Sequence, residues 1–276
     1  MLSTLPAPLA KLTITRDEVT NRTPEMRAWA QKELDTFLGA NQPFTPLSID
    51  KVTVVSPGWK GGVEWGGLSA DPDKGIIYAN VNNVVSLGSL TARGNAPARG
   101  GRGGGGGADE PGAPVNPNAA AAGKPYVFTG YRYFVDPEGY QANAYPWGTL
   151  NAIDMNTGKY LWTVPFGEHT ELAEKGLTNT GAGSHGGTVL TATGVLFTGG
   201  SEYDTKFRAY DSATGKVLWT GQLPGPGVAT PATYAVNGKQ YVVIAASPAQ
   251  RGGGAQAAPA ASSGIKSGTY VVFALP

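Results

Sequence analysis

Eleven residues occur twice in this chain on one plan. AIDMNTGKYLW (152–162) and AYDSATGKVLW (209–219) start 57 residues apart, and seven of their positions are identical: Ala152/Ala209, Asp154/Asp211, Thr157/Thr214, Gly158/Gly215, Lys159/Lys216, Leu161/Leu218 and Trp162/Trp219. An apolar run leads into a Thr-Gly turn and a second apolar run leads out, which is the pattern of a β-hairpin. Asp154 and Asp211 are placed to fold back on the turn amides. Gly158 and Gly215 supply the positive φ that Thr or Lys would adopt only with strain.

The closing Trp sets the larger constraint. An indole buries roughly 150–250 Å² and needs an acceptor for its N–H, which one hairpin cannot provide. A Trp at a fixed place in a repeated hairpin therefore predicts stacked units, each covering the next. The same plan extends outward. WGGLSADPDKGIIYANV (65–81), SHGGTVLTATGVLFTGG (184–200) and ATPATYAVNGKQYVVIAAS (229–247) each hold two strand-like runs about a turn, with Asn237-Gly238 the clearest hairpin signal. One unit is then about four strands, the size of a β-propeller blade. The expectation is an all-β chain of about three to four four-stranded propeller blades, with one short N-terminal helix.

Composition agrees. Gly and Pro number 41 and 21 in 276 residues, which suits a turn-rich β chain. A net charge of +1 points to neither nucleic acid nor an anionic membrane. The absence of Cys excludes disulfides, thiolate metal sites and covalently attached c-type haem. Residues 1–20 lack the basic start and apolar core of a signal peptide, and no run of about 18–20 apolar residues is present.

Along the chain, 1–49 reads as irregular apart from a helix near 24–38. Thr23 caps it, Pro24 and Glu25 open it, Gly39 ends it, and Met26, Trp29, Ala30, Leu34, Phe37 and Leu38 form its apolar side. Residues 50–276 read as partial propeller, starting with KVTVV (51–55) and interrupted near 92–124 and 250–266 by Gly/Pro/Ala-rich insertions expected to be flexible. The first insertion carries only Arg93, Arg99 and Arg102, lacks interleaved aromatics and runs into Asp109-Glu110. It reads as a surface loop rather than a nucleic-acid tail.

Few residues carry chemistry. No His-Glu-x-x-His, P-loop or nucleophile-elbow pattern occurs, and no cluster could activate a substrate by itself. Of the two His, His169 lies in the polar stretch GEHTELAEKG and reads as a surface residue. His185, in GAGSHGGTV, lies at the mouth of a strand where backbone and ring can meet a ligand. WKGG (59–62) and WGG (65–67) set Trp beside Gly, which lets a flat ring approach backbone.

The AxDxxTGKxxW phrase resembles the tryptophan-docking repeat of pyrroloquinoline quinone (PQQ) dependent dehydrogenases. TPEMRAWA (23–30), PGWKGGVEWGGLSADPDKGIIY (57–78), PWGTLNAIDMNTGKYLW (146–162), KFRAYDSATGKVLW (206–219), ATPATYAVNGKQYVVIAA (229–246) and VVFALP (271–276) follow in the order found in the C-terminal part of the membrane-bound glucose dehydrogenase branch. The resemblance implies blades of an eight-bladed quinoprotein propeller. It also implies PQQ-dependent oxidation of a sugar or alcohol, a quinone or cytochrome as electron acceptor, and a periplasm-facing location.

The resemblance assigns a cofactor edge to Glu64, Trp65 and Gly66 and to the turn Ser184, His185 and Gly186. It assigns no catalytic residue and no metal ligand to this chain. The general-base Asp, the Lys that contacts the quinone, and the ligands of any Ca²⁺ belong to motifs upstream of TPEMRAWA. Ser184-His185 replaces the usual Asn and aromatic, and Lys266-Ser267-Gly268-Thr269 replaces the usual Lys-x-Gly-Asp. At about 57 residues per unit the chain holds at most four blades, so it reads as the C-terminal part of a larger enzyme with an upstream half as partner. The alternative is a non-catalytic propeller scaffold that binds proteins in the cell envelope.

Overall fold

The computed structural model describes residues 5–92, 125–130, 132–248 and 264–274. The insertions read near 92–124 and 250–266 lie outside the described residues except at their edges.

The first helix, α1 (Pro24–Leu34), starts as its sequence dictates. Thr23 Oγ1 accepts from the Met26 N–H at 3.2 Å, with Pro24 and Glu25 in the first turn. It stops short of the expected residue 38 because Leu38 is drawn into a sheet. The Leu38 N–H donates to Val52 O at 2.9 Å, and its carbonyl accepts from Val54 N at 2.8 Å. Ala30 and Leu34, with Trp29 and Phe37, pack on Val54, Val85, Leu87 and Phe134.

The strands β1 (Thr53–Val55), β2 (Ser69–Asp71), β3 (Ile76–Asn82), β4 (Ser86–Gly88), β5 (Leu90–Ala92), β6 (Tyr126–Phe128), β7 (Arg132–Tyr133), β8 (Gly148–Asp154) and β9 (Lys159–Pro165) come first. A short helix, α2 (Thr170–Glu174), separates them from β10 (Thr188–Leu190), β11 (Val195–Thr198), β12 (Lys206–Asp211) and β13 (Val217–Gln222). The last strands are β14 (Ala232–Val236), β15 (Lys239–Ala246) and β16 (Thr269–Ala274). All pairings between them are antiparallel.

These strands form propeller blades. Two sheets have the expected four strands, β2-β3-β8-β9 and β10-β11-β12-β13; β14-β15-β16 and β1-β4-β7 have three, and β5-β6 is a ribbon. The first four-stranded blade is split, since the chain leaves after β3 to build β4 to β7 and returns at β8. Both copies of the repeated phrase are outer hairpins, β8-β9 and β12-β13. Each shifts register at the same place, between Ala152 and Ile153 and between Ala209 and Tyr210. Their turns match too. Asp154 accepts from Asn156 N and Thr157 Oγ1, each at 2.8 Å; Asp211 accepts from Ala213 N and Thr214 Oγ1, each at 2.9 Å.

Strand alternation gives the middle blade two apolar faces. Leu196 and Tyr210 meet Tyr78, Leu150, Ala152 and Phe166 of the first blade. Phe197, Phe207 and Ala209 point the other way, onto Val242, Ile244 and Ala246 of the third. The irregular N-terminal segment covers the far face of the first blade, where Ala10 and Leu9 pack on Ala79 and Val81.

Candidate functional site

Three turns converge beside the innermost strands of the three blades: residues 62–67 before β2, 184–187 before β10, and Thr230 before β14. Glycine permits the convergence. A methyl on Gly66 would strike the backbone of Gly187, and one on Gly187 would strike the carbonyl of Gly66. The Gly66 N–H donates to His185 O at 3.2 Å. From the other side, Asn82 grips Ser184 twice. Its Oδ1 accepts from Ser184 N at 2.8 Å and its Nδ2 donates to Ser184 O at 3.1 Å. Asn80 Nδ2 donates to Gly186 O. The six residues assigned from sequence, Glu64, Trp65, Gly66, Ser184, His185 and Gly186, are thus brought into one place.

Their side chains divide by role. Ser184 is buried and donates to Gly200 O at 2.9 Å, so its hydroxyl braces the turn. Trp65 is 76% exposed, and its ring lies nearly parallel to that of His185, 18° apart with centroids at 6.4 Å. His185 lies between two carboxylates, with Nδ1 3.7 Å from Glu64 Oε1 and Nε2 3.7 Å from Glu202 Oε1. Lys60, almost fully buried, ion-pairs with Glu202. One flat exposed ring, one imidazole, a cation and two carboxylates therefore share a small, partly sheltered volume.

Lys60, Asn80, Asn82, Glu202 and Thr230 belong to this arrangement and escaped the sequence reading. Glu202 was within reach of it. The hairpin about Thr193-Gly194 pairs Thr188 with Thr198, and continuing that register sets Ser184 opposite Glu202. Lys60 lay inside the quoted WKGG, but nothing local announces that its stem turns inward.

His169 departs from expectation. Expected at the surface, it is 5% exposed, stacked on Tyr203 at 4.1 Å and edge-on to Trp147 at 5.0 Å and Tyr140 at 5.6 Å. Burial, helped by the Arg22 charge, pushes its pKa down to about 3, and burial raises the Tyr203 phenol to about 12. The polar letters around it misled because α2 turns its solvent side to Glu171 and Glu174 while Leu172 packs inward. Among the described residues no group of three or more His, Asp or Glu is placed to hold a metal ion. Nor is any helix among them long and apolar enough to cross a membrane.

Residues 2–242 match the PQQ family described as glucose/ethanol/alcohol dehydrogenase, beta-propeller domain. The chain belongs to this family. The glycerol dehydrogenase large subunit of Gluconobacter thailandicus is 38% identical over 210 residues, covering 74% of this chain and 28% of the relative. Quinoprotein glucose dehydrogenase of Escherichia coli (strain K12) is 36% identical over 240 residues, covering 84% and 28%. This quinoprotein propeller therefore spans 28% of the length of these curated relatives. The crystal structure of quinohemoprotein alcohol dehydrogenase from Comamonas testosteroni shares the fold, with a TM-score of 0.50 at 23% identity over 86% of this chain and 30% of that one.

Proposed function

We propose that this chain is part of a PQQ-dependent dehydrogenase that oxidises a sugar or an alcohol. In this reading residues 50–276 are its blades and 1–49 the segment packed on them. The Glu64–Gly66 and Ser184–Gly186 turns form one edge of the cofactor site. The observation that carries the reading is the exposed Trp65 ring lying parallel to His185 where three blades meet. PQQ is a planar quinone with three carboxylates, and when bound it supplies the redox chemistry, taking two electrons from the substrate carbon. The residues fit such a group. The Trp65 face is flat and open, and Lys60 offsets the charge of Glu202.

Each residue then has a role of its own. Trp65 gives a planar ring a surface to lie against. His185 stands between Glu64 and Glu202, 3.7 Å from an oxygen of each, and closes the side of the site opposite the open Trp65 face. Asn82 and Asn80 hold the Ser184–Gly186 backbone at fixed depth, so the edge is formed before a ligand arrives. The general base, the main quinone contact and any Ca²⁺ ligands come from the rest of the longer protein. So does the route to a quinone or cytochrome acceptor, on the periplasmic side.

The test joins this chain to the remaining length of such a dehydrogenase, loads PQQ, and follows sugar and alcohol oxidation with an artificial dye. Oxidation that needs both parts and PQQ is expected. An inactive, correctly folded assembly that takes up no PQQ would overturn the reading.

A further inference from the structure

Thr230 lies in the third blade, 43 residues beyond Gly187 and 164 beyond Gly66, and belongs to neither assigned turn. Its hydroxyl nevertheless joins them. Oγ1 donates to Gly66 O at 3.0 Å and accepts from Gly187 N at 3.0 Å. Between the Trp65 turn and the His185 turn there is otherwise one direct backbone bond, Gly66 N to His185 O at 3.2 Å. Just past the turns Ser69 Oγ and Thr188 Oγ1 are hydrogen-bonded at 2.6 Å, and Thr230 adds the attachment within the turns themselves, beside Trp65 and His185.

We infer that Thr230 is a positioning residue that sets the spacing of Trp65 and His185 and so ties the cofactor edge to the third blade. This rests on the cofactor reading only for its consequence, not for its geometry. The hydroxyl acts through both of its hydrogen-bonding functions at once, which a methyl group cannot reproduce and a serine hydroxyl can. Thr230 is exposed, so its substitution removes these bonds without opening a cavity.

The experiment compares Thr230→Val, Thr230→Ala and Thr230→Ser in the full chain labelled with 5-fluorotryptophan. The Trp65 resonance is assigned by its loss in Trp65→Phe. With no cofactor added, the Val and Ala variants are expected to move and broaden that resonance, and the Ser variant to leave it in place. All three should melt within a few degrees of the parent. With PQQ added, the Val and Ala variants are expected to bind about tenfold more weakly and the Ser variant within about twofold, the scale of one or two net hydrogen bonds. An unmoved Trp65 resonance in both Val and Ala variants overturns the inference. If the Val and Ala variants move the resonance while the parent, joined to the remaining length of the dehydrogenase, binds no PQQ, the latch is supported and the cofactor reading fails, so the two failures are separable.

Discussion

Trp162 lies across Gly215. The indole of the first blade's outer hairpin covers the turn glycine of the second blade's matching hairpin, and its Nε1–H donates to Ser212 O at 3.0 Å. A methyl at Gly215 would lie 2.7 Å from the Trp162 ring, and Gly215 has φ +71°. The repeated phrase thus recognises its own copy: Trp at its end, Gly in its turn.

Removing either partner should loosen the two blades. Trp162→Ala is expected to cost about 3 kcal/mol, the low end for a large aromatic because the ring is only half-buried. Gly215→Ala is expected to cost about 1–3 kcal/mol from overpacking and backbone strain together. Urea unfolding of both single variants and the double variant measures the coupling. The double variant should cost less than the sum of the singles.

The buried His169 makes stability depend on pH. Its folded pKa, about 3, lies below the ordinary value of 6.5, so between these values the unfolded chain binds a proton that the folded chain refuses. Stability therefore falls as pH drops from about 6.5 toward 3, by about 2 kcal/mol at pH 5. His169→Phe keeps the ring stack on Tyr203 and removes the proton. Its stability between pH 7 and pH 5 should decline less than that of the parent.

Arg22 anchors the N-terminal segment through a buried ion pair. Its Nη2 donates to Asp136 Oδ2 at 2.6 Å and its Nε to the same oxygen at 3.2 Å, while the guanidinium lies 4.5 Å from the Tyr140 ring centre. Asp136 is fully enclosed, so Arg22→Met strands its charge and should cost about 3–5 kcal/mol. Arg22→Met with Asp136→Asn, whose amide oxygen still accepts from the Glu138 and Tyr140 N–H groups, should recover much of that loss, measured by thermal melting.

The hairpins were legible because their chemistry is local. Asp154, Thr157 and Gly158 close a turn with groups at most four residues apart, and Asp211, Thr214 and Gly215 repeat it. The end of α1 was not, because Leu38 leaves the helix for Val52 and Val54, a choice made by a strand that helix patterning does not see. The residues proposed for the cofactor edge were named from family likeness. The groups that orient them, Asn82, Glu202 and Thr230, stand 18 to 166 residues from Glu64 or Ser184 in the chain and meet them only through blade packing. His169 was misread because the rings that bury it, Tyr140 and Trp147 before β8 and Tyr203 before β12, lie outside its own stretch of chain.

The most direct measurement is a PQQ titration of this chain joined to the remaining length of the dehydrogenase, as parent and as Trp65→Ala, followed by quinone absorbance, with thermal melting alongside. Because Trp65 is so exposed, its loss should leave the melting temperature unchanged. Saturable binding by the parent is expected, weakened about tenfold or more in the variant as the ring contact is lost. A folded joined parent that shows no saturable binding, or a variant that binds as tightly as the parent, would contradict the cofactor reading.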